Sequence, residues 1–420
     1  MDLPVPKSVE IKDVRHIKVC GTKETYCAHP RQVGVFNFGN GELVVGHYHA
    51  PTAYSSLNDV AHATGYKRRA KILLQRSLDY GETWPEENNV VVFDESAPLE
   101  ERRRRLFPEC QDREEIDMSQ PEAIFLFGRS WSGGRSWSGD LSTLEEGELP
   151  PMVCFCLRSK DKGWTWENVP TIIDPSAHCA ECHKDNHPVV RMPDGSFVGA
   201  WTGYQGYEFT PGVQARSYPN REVLLYASED DGLSWEYVAP IAHDPRGLGG
   251  YTYANLILLP TGRLLCFMLV MSASGDFLGM NHSDDGGNSW SQVVPITRRG
   301  YSPWTARRVR GRFTHWRQVR GRFYRSPWPL LLRDGRLLVV FARRKAPYGI
   351  GGLISEDDGQ TWSREFIIRD DGASGDLGYP VVTELDDGRI FTAYYFNVED
   401  DVHLRGGRRF IGGSFFRISS

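Results

Sequence analysis

The sequence contains no long apolar stretch, no signal-like start and few cysteines, and each absence excludes a class of protein. No segment approaches the ~18 consecutive apolar residues of a membrane-spanning helix. The N-terminus lacks the basic start and apolar core of a secretory signal, so we expect a soluble, cytoplasmic protein. A net charge of −5 over 420 residues gives no global reason to expect nucleic acid or a membrane surface as a partner.

The eight cysteines are scattered through a large chain, which favours buried reduced thiols over a disulfide framework. Cys179, Cys182 and His183 form a Cys-x-x-Cys-His sequence, but covalent haem attachment needs an exported protein, so we reject that interpretation. Together with His178 and His187, these residues could bind zinc instead. The sequence does not decide this point, and we assign no cofactor and no metal.

The chain does contain an eight-residue repeat, Ser-x-Asp-x-Gly-x-(Ser/Thr)-Trp, which we call the Asp box. It occurs five times, at residues 77–84, 159–166, 228–235, 283–290 and 355–362. Flanking apolar runs are typical of a hairpin turn between two strands. We expect the Asp to accept hydrogen bonds from amides of its own loop, the Gly to adopt a positive φ, and the Trp to pack on the neighbouring hairpin. These aspartates are therefore predicted to be structural.

A second repeat, two apolar strands joined by a glycine turn, precedes most Asp boxes. The turn glycines are Gly41, Gly195, Gly262, Gly335 and Gly388. The two repeats together make a four-stranded antiparallel blade, and such blades close into a propeller. The sequence therefore predicts an all-β fold, a six-bladed β-propeller. The predicted blades are residues 29–95, 120–175, 185–243, 251–298, 325–370 and 376–419, with residues 10–19 as a closing strand on the sixth.

Three segments do not fit the blade pattern, and we interpret residues 1–420 as one propeller domain with three inserts. Residues 96–119 are highly charged and predict a surface helix, and residues 128–139 contain a doubled Gly-Arg-Ser-Trp-Ser-Gly sequence. Residues 304–325 are rich in arginine and lead into the fifth blade. This last insert is either a solvated loop or a basic lid over a pocket for an acidic substrate.

Both kinds of turn lie on one face of each blade, so a ligand site is expected on the opposite face, near the propeller axis. Counting back from each turn glycine gives equivalent axial positions. Ten residues before it stand Arg31, Asp185, Thr252, Arg325 and Gly378, and nine before it stand Gln32, Asn186, Tyr253, Ser326 and Tyr379. The ends of the second strands add His47, His49, Tyr204, Arg343, Arg344, Lys345, Tyr394 and Tyr395. Two arginines at equivalent positions suit a carboxylate on a ligand.

Five Asp boxes on a six-bladed propeller resemble the sialidase superfamily over essentially the whole chain. Sialidases carry an arginine ten residues before the first turn glycine, and Arg31 stands at that spacing without the family's following Ile-Pro. They carry a nucleophilic tyrosine nine residues before an Asp-Gly turn, and Tyr379 matches that position. The resemblance implies an exo-acting glycosidase for an acidic sugar, in which Arg31 and Arg325 hold the substrate carboxylate.

The match to the family is partial. The glutamate that activates the tyrosine in sialidases would fall at Tyr253, and the second arginine of their triad near Leu269. No acid stands where the family has its general acid, so Asp376 and Asp185 are the nearest catalytic candidates by position, with Asp59 a third choice. The residues predicted to bind substrate are Arg31, Arg325, His47, His49, His187, Tyr253 and Arg343.

Two other functions remain open. A polysaccharide lyase acting on uronic acids could use His183, His187, His47 or His49 with a tyrosine as base and acid. A propeller that binds glycan or protein without catalysis would account for the missing carboxylates. For both enzymatic hypotheses, the predicted partner is an acidic carbohydrate.

Overall fold

The strands of this chain form antiparallel sheets that follow one another as blades around an axis. The computed structural model describes residues 7–56, 59–60, 69–131, 152–173, 181–183, 189–204, 221–245, 249–272, 275–297, 304–309, 312–318, 323–400 and 407–419. None of the helices in these ranges is long and apolar enough to cross a membrane.

The first three blades contain strands β2 to β14. Blade one consists of β2 (Thr25–Ala28), β3 (Val35–Asn37), β4 (Leu43–Pro51), β5 (Lys71–Ser77) and β6 (Val90–Asp94). Blade two consists, within the described residues, of β7 (Ile124–Trp131), β8 (Met152–Ser159) and β9 (Thr171–Ile173). Blade three consists of β10 (Glu181–His183), β11 (Val190–Arg191), β12 (Phe197–Tyr204), β13 (Arg221–Ser228) and β14 (Glu236–Ala242).

The remaining blades contain strands β15 to β27 and the N-terminal strand. Blade four consists of β15 (Gly249–Leu258), β16 (Leu264–Ser272), β17 (Phe277–Ser283) and β18 (Val294–Pro295). Blade five consists of β21 (Tyr324–Leu331), β22 (Leu337–Arg343), β23 (Tyr348–Ser355) and β24 (Phe366–Gly372). Blade six consists of β25 (Gly378–Glu384), β26 (Ile390–Phe396), β27 (Phe410–Ile418) and β1 (Ile11–Cys20). The predicted six-bladed propeller is thus confirmed, and β1 closes it by pairing antiparallel with β27.

The predicted inserts are partly regular structure. Helix α1 (Leu99–Leu106) lies in the first insert, where a surface helix was expected. Residues 128–131 belong to β7, because their backbone continues the pairing with β8, so the second insert begins later than predicted. The rest of that insert lies outside the described residues. In the third insert, β19 (Trp304–Val309) and β20 (Arg312–Gln318) pair as a separate hairpin.

Each Asp box forms the same turn. The Asp Oδ1 accepts the amide of the residue four positions on at 2.8–2.9 Å in all five copies. The box glycines have φ between 83° and 98°, a region that disfavours a side chain. Trp84 stacks on Phe391 of blade six, and Trp362 meets Phe267 of blade four edge-on. The box therefore joins its blade to the preceding one, as the sequence predicted.

Two arginines reinforce this face from the position before the box serine. Arg76 donates to the carbonyl of Lys162 in the next blade at 2.8 Å. Arg158 donates to the carbonyl of Asp231 in the following blade at 3.2 Å and pairs with Glu167 at 2.8 Å. Each arginine thus links one blade to the Asp box of the next.

The innermost strands bend where they approach the axis. The pairing of β15 with β16 shifts between Thr252 and Asn255, and β21 and β25 shift at the equivalent place. In blade one a 3₁₀ turn, Pro30–Gln32, separates β2 from β3. These bulges sit next to the axial positions that were counted from the glycine turns.

Candidate active site

Two tyrosines from different blades meet on the axial face. Tyr253 and Tyr379 occupy the bulges of β15 and β25 with φ of 57° and 50°, and their hydroxyl oxygens lie 2.6 Å apart. In the described part of the chain, the two hydroxyls bond only to each other. A bulky residue with positive φ is strained, and such strain tends to be kept at functional sites.

Arg31 stands beside this pair on the 3₁₀ turn of blade one. Its side chain is fully buried, and its Nη1 donates to the carbonyl of Pro327 at 2.6 Å. The guanidinium carbon lies 5.5 Å from the centre of the Tyr253 ring and 6.0 Å from that of Trp328. A buried guanidinium in this setting is a fixed positive charge at the axis.

Two further arginines face Tyr379. The Arg344 guanidinium carbon lies 5.5 Å from the centre of the Tyr379 ring, and its Nη2 donates to the carbonyl of Leu377 at 2.7 Å and to the Tyr395 hydroxyl at 2.9 Å. Arg325, buried in β21, adds its charge to the field at the same tyrosine. Three cations from blades one and five thus surround the tyrosine pair.

Burial dominates the protonation of Tyr379. It raises the pKa of the Tyr379 phenol well above its ordinary value, and the neighbouring Tyr253 adds to the shift. The charges of Arg344 and Arg325 lower the pKa but do not outweigh burial. The Tyr379 hydroxyl is therefore protonated at neutral pH in the free protein.

Asp376 lies at the edge of this group, in the loop before β25. Its Oδ1 accepts the Tyr395 hydroxyl at 2.9 Å, and its Oδ2 accepts Arg409 Nη2 at 3.0 Å. The backbone carbonyl of Asp376 accepts Asn397 Nδ2 at 2.8 Å. Asp376 therefore orients Tyr395 and Arg409, and Tyr395 links it to Tyr379, since the two tyrosine ring centres are 5.8 Å apart.

His29 also contacts the tyrosines, although its residue type and spacing did not select it in the sequence. Its ring centre lies 4.4 Å from that of Tyr379 and 5.1 Å from that of Tyr395, both edge-on, and it has a φ of 56°. It stands two residues before Arg31 on the same axial segment, and that proximity was the available signal.

Three of the predicted binding residues have their described contacts elsewhere. Arg343 pairs with Glu365. Arg343 and its neighbour Arg344 point to opposite sides at the end of β22, and Arg344 is the one that faces Tyr379. His47 contacts Cys20, with Nε2 3.3 Å from Sγ, and His49 contacts Cys27, with Nδ1 3.5 Å from Sγ. These four side chains form a separate cluster of thiols and imidazoles.

Asp59, the third-choice acid, accepts the amides of Ser55 and Ser56 through Oδ2 and lies 3.8 Å from Arg69. Asp185, His187, His178 and Cys179 lie outside the described residues. Cys182 and His183 belong to β10, and only their backbone is described. The structure thus brings Arg31, Arg325, Tyr253 and Tyr379 together, and it adds Arg344, Tyr395 and His29.

The arrangement can bind an anion and move a proton. Guanidinium groups at fixed positions pair well with a carboxylate, and a low-dielectric surrounding strengthens that attraction. Two hydrogen-bonded hydroxyls can exchange and pass on a proton, since each is both donor and acceptor. The axial face therefore combines fixed positive charge with a pair of hydroxyls that can transfer a proton.

Comparison with known proteins gives one family and several structures. A family model described as BNR repeat-like domain matches residues 71–392. A search of curated proteins finds no significant match to the sequence.

Among solved structures, a protein of unknown function from Dyadobacter fermentans matches with a TM-score of 0.67 at 22% identity, covering 97% of this chain and 100% of the other. The intramolecular trans-sialidase from Ruminococcus gnavus matches with a TM-score of 0.54 at 14% identity, covering 94% and 95%. The leech intramolecular trans-sialidase matches with a TM-score of 0.56 at 12% identity, covering 96% and 69%. At such identities the likeness establishes the sialidase-like fold.

Proposed function

This chain belongs to the BNR repeat-like domain family, and from that premise we propose that it is a glycosidase that cleaves an acidic sugar at the axial face, with Tyr379 as nucleophile. The observation that carries the proposal is the hydrogen-bonded pair of Tyr253 and Tyr379 beside three arginines. The sialidase-like fold supports an acidic sugar as substrate class, because two of its structural neighbours are named as trans-sialidases.

Arg31, Arg325 and Arg344 hold the substrate carboxylate. Their charges stand close to Tyr253 and Tyr379. A sugar bound through its carboxylate would present its anomeric carbon to the Tyr379 oxygen, and this positioning is the main contribution of such a clamp.

The tyrosine pair relays the proton. Tyr379 attacks the anomeric carbon while its proton passes to Tyr253, and the Tyr253 proton passes to the leaving oxygen as the glycosidic bond breaks. Water then attacks the sugar, gives its proton to Tyr253, and Tyr379 regains its own. No carboxylate takes part in this relay, and Tyr379 enters it protonated, because burial raises its pKa well above the ordinary value.

The test is turnover of fluorogenic glycosides of sialic acid, compared with neutral hexosides. We expect hydrolysis of the acidic glycoside alone, and a fall in kcat/KM of at least about 10³-fold for Tyr379→Phe and for Tyr253→Phe. Binding measured by calorimetry should change only a few-fold in both variants. Tyr394→Phe is the matched control. The Tyr394 hydroxyl bonds to Ser414, and its side chain lies on the opposite face of β26 from Tyr395, which contacts Tyr379.

Full activity in Tyr379→Phe would refute the tyrosine mechanism. Binding of acidic glycans by the wild-type protein without any turnover would favour a non-catalytic, glycan-binding propeller instead.

A lyase acting on uronic acids is the second candidate. It is favoured by two observations: the tyrosine hydroxyls contact no carboxylate in the described residues, and His29 lies against Tyr379. In β-elimination one group removes the proton beside the carboxylate, and another protonates the leaving oxygen. Unsaturated uronates absorb ultraviolet light. An increase in ultraviolet absorbance during digestion of a uronate polymer would therefore identify a lyase, whereas hydrolysis would not change the absorbance.

A further inference from the structure

A compact group of metal-ligating side chains lies where the propeller ring closes. Cys20 Sγ is 3.3 Å from His47 Nε2, and Cys27 Sγ is 3.5 Å from His49 Nδ1. The ligand atoms of Cys20, Cys27 and His47 all lie within 4.8 Å of one another. Cys27 and His47 are fully buried, and Cys20 is half-buried.

We propose that Cys20, Cys27 and His47 bind a zinc ion, with His49 as the side chain that could complete four-coordination. Thiolate and imidazole are the ligands that zinc prefers, and two sulfurs with nitrogen ligands favour tetrahedral zinc over magnesium or calcium. With zinc–sulfur bonds of about 2.3 Å and zinc–nitrogen bonds of about 2.0–2.1 Å, tetrahedral geometry places sulfur and nitrogen about 3.6 Å apart. The observed sulfur–nitrogen separations of 3.3 and 3.5 Å are close to that value.

The sequence places these ligands on a common side. His47 and His49 are two residues apart on β4, so both side chains lie on the same face of the strand. Cys27 is opposite His49 in the pairing of β2 with β4. Cys20 is the last residue of β1 and approaches the same face from blade six.

Cys20 and Cys27 would bind zinc as thiolates, and each sulfur already lies within hydrogen-bonding distance of an imidazole nitrogen. Zinc binding replaces the two thiol protons, which are released to solvent.

The cluster spans the closing seam of the propeller. Cys20 belongs to blade six, whereas Cys27 and His47 belong to blade one. The Cys27 amide donates to the carbonyl of Arg409 at 3.2 Å, which already joins the two blades. Zinc would link blade six to blade one at this point and hold β2 in place. β2 leads directly to His29 and Arg31 in the candidate active site. The site does not depend on the proposed glycosidase activity.

The experiment measures zinc on the full chain, purified under reducing conditions without a metal-affinity step. Cys179, Cys182 and His183 could bind zinc independently. The zinc measurement therefore uses protein that carries Cys182→Ser in every variant. We expect about one zinc per chain, and zinc at 100 times its Kd should raise the Tm by about 3 °C. Cys27→Ser should lose the zinc, and His47→Gln should weaken binding by about 100-fold or more.

Cys266→Ala is the control, because it removes another fully buried thiol from blade four without touching the cluster. Cobalt substitution of the unmutated cluster gives a readout that does not depend on the folding of variants. Two thiolate ligands should produce thiolate-to-cobalt charge transfer and the intense visible bands of a tetrahedral site. Less than about a tenth of an equivalent of zinc, equal binding by Cys27→Ser, or a Cys20–Cys27 disulfide in freshly isolated protein would each overturn the proposal.

Discussion

The two faces of the propeller use the same repeat in opposite ways. On the Asp-box face, five copies of one sequence make one turn with the same hydrogen bond from Asp to the amide four residues on. On the axial face, the bulges of blades four, five and six share a positive φ but carry Tyr253, Ser326 and Tyr379. The Asp-box face has the same side chains in each copy, whereas the axial face has the same backbone conformation with different side chains.

The difference separates stability from chemistry. The hydrogen bonds from each box Asp span only four residues, so each blade can form this turn from its own sequence. Contacts of the axial face are distant: Tyr253 and Tyr379 are 126 residues apart, and they meet only because the ring closes. Substitutions on the first face should therefore change the free energy of unfolding, and those on the second should change turnover.

The largest expected effect is on the stabilising face. Arg158 and Glu167 are both 1% exposed, and Arg158 also donates to the carbonyl of Asp231 in the next blade. In Arg158→Met, buried Glu167 keeps the backbone amide of residue 158 and Arg113 Nη2, both at 2.9 Å, but loses the Arg158 guanidinium, so the free energy of unfolding should fall by about 3 kcal/mol. Denaturant unfolding measures this loss, and kcat/KM per folded molecule should stay unchanged.

Lys160→Met is the matched control for Arg158→Met. Lys160 pairs with Glu114 at 2.7 Å, but both side chains are more than half exposed. Its loss should change the free energy of unfolding by less than about 1 kcal/mol. A drop in turnover with unchanged unfolding in Arg158→Met would break the division between the faces.

A smaller effect is expected from two adjacent arginines near the end of β22. Arg344 contacts the Tyr379 ring and Tyr395, whereas Arg343 pairs with Glu365. Arg344→Met should lower kcat/KM by about 10²-fold, or about 2.7 kcal/mol, and Arg343→Met by no more than a few-fold. Steady-state kinetics on a fluorogenic sialic acid glycoside measures both. Equal losses in the two variants would show that general positive charge, and not the position of Arg344, supports the reaction.

The sequence was sufficient for the fold because the fold is repeated locally. The Asp boxes and glycine turns predicted six blades, and residues 10–19 predicted the closing strand that β1 supplies. Counting back from the glycine turns also found Tyr253 and Tyr379, since the bulges preserve the same spacing in blades four and six.

The rest of the site could not be predicted because it depends on direction and on distant contacts. Arg343 is the last residue of β22, and Arg344 lies just beyond it. The sequence does not show which of the two side chains faces the axis, because no repeated motif marks the end of this strand. His47 and His49 were expected at the axial face, but Cys20 reaches their side of β4 only through the pairing of β1 with blade six. Such a contact across the seam has no local signal in the sequence.

The smallest effect expected is the pH dependence of the Asp boxes. The hydroxyl and amide of Ser289 lower the pKa of Asp285 to about 2, below the unfolded value of about 3.9. A carboxylate with a lowered folded pKa stabilises the protein above its unfolded pKa, and that stability is lost as the pH falls toward the folded value. The Tm advantage of the wild-type protein over Asp285→Asn should thus be present at pH 6 and shrink from about pH 4 to pH 2. We expect an advantage of about 1 °C, because the carboxylate is exposed.

Tyr379 makes this last measurement informative about both faces. Burial raises its pKa well above the ordinary value, so its hydroxyl stays protonated over the whole acidic range. Acidification should therefore weaken the Asp-box turns while leaving the proton on Tyr379 unchanged. Differential scanning calorimetry of wild type and Asp285→Asn at each pH tests this. A wild-type advantage that grows on acidification would mean that the box does not rely on an ionised aspartate.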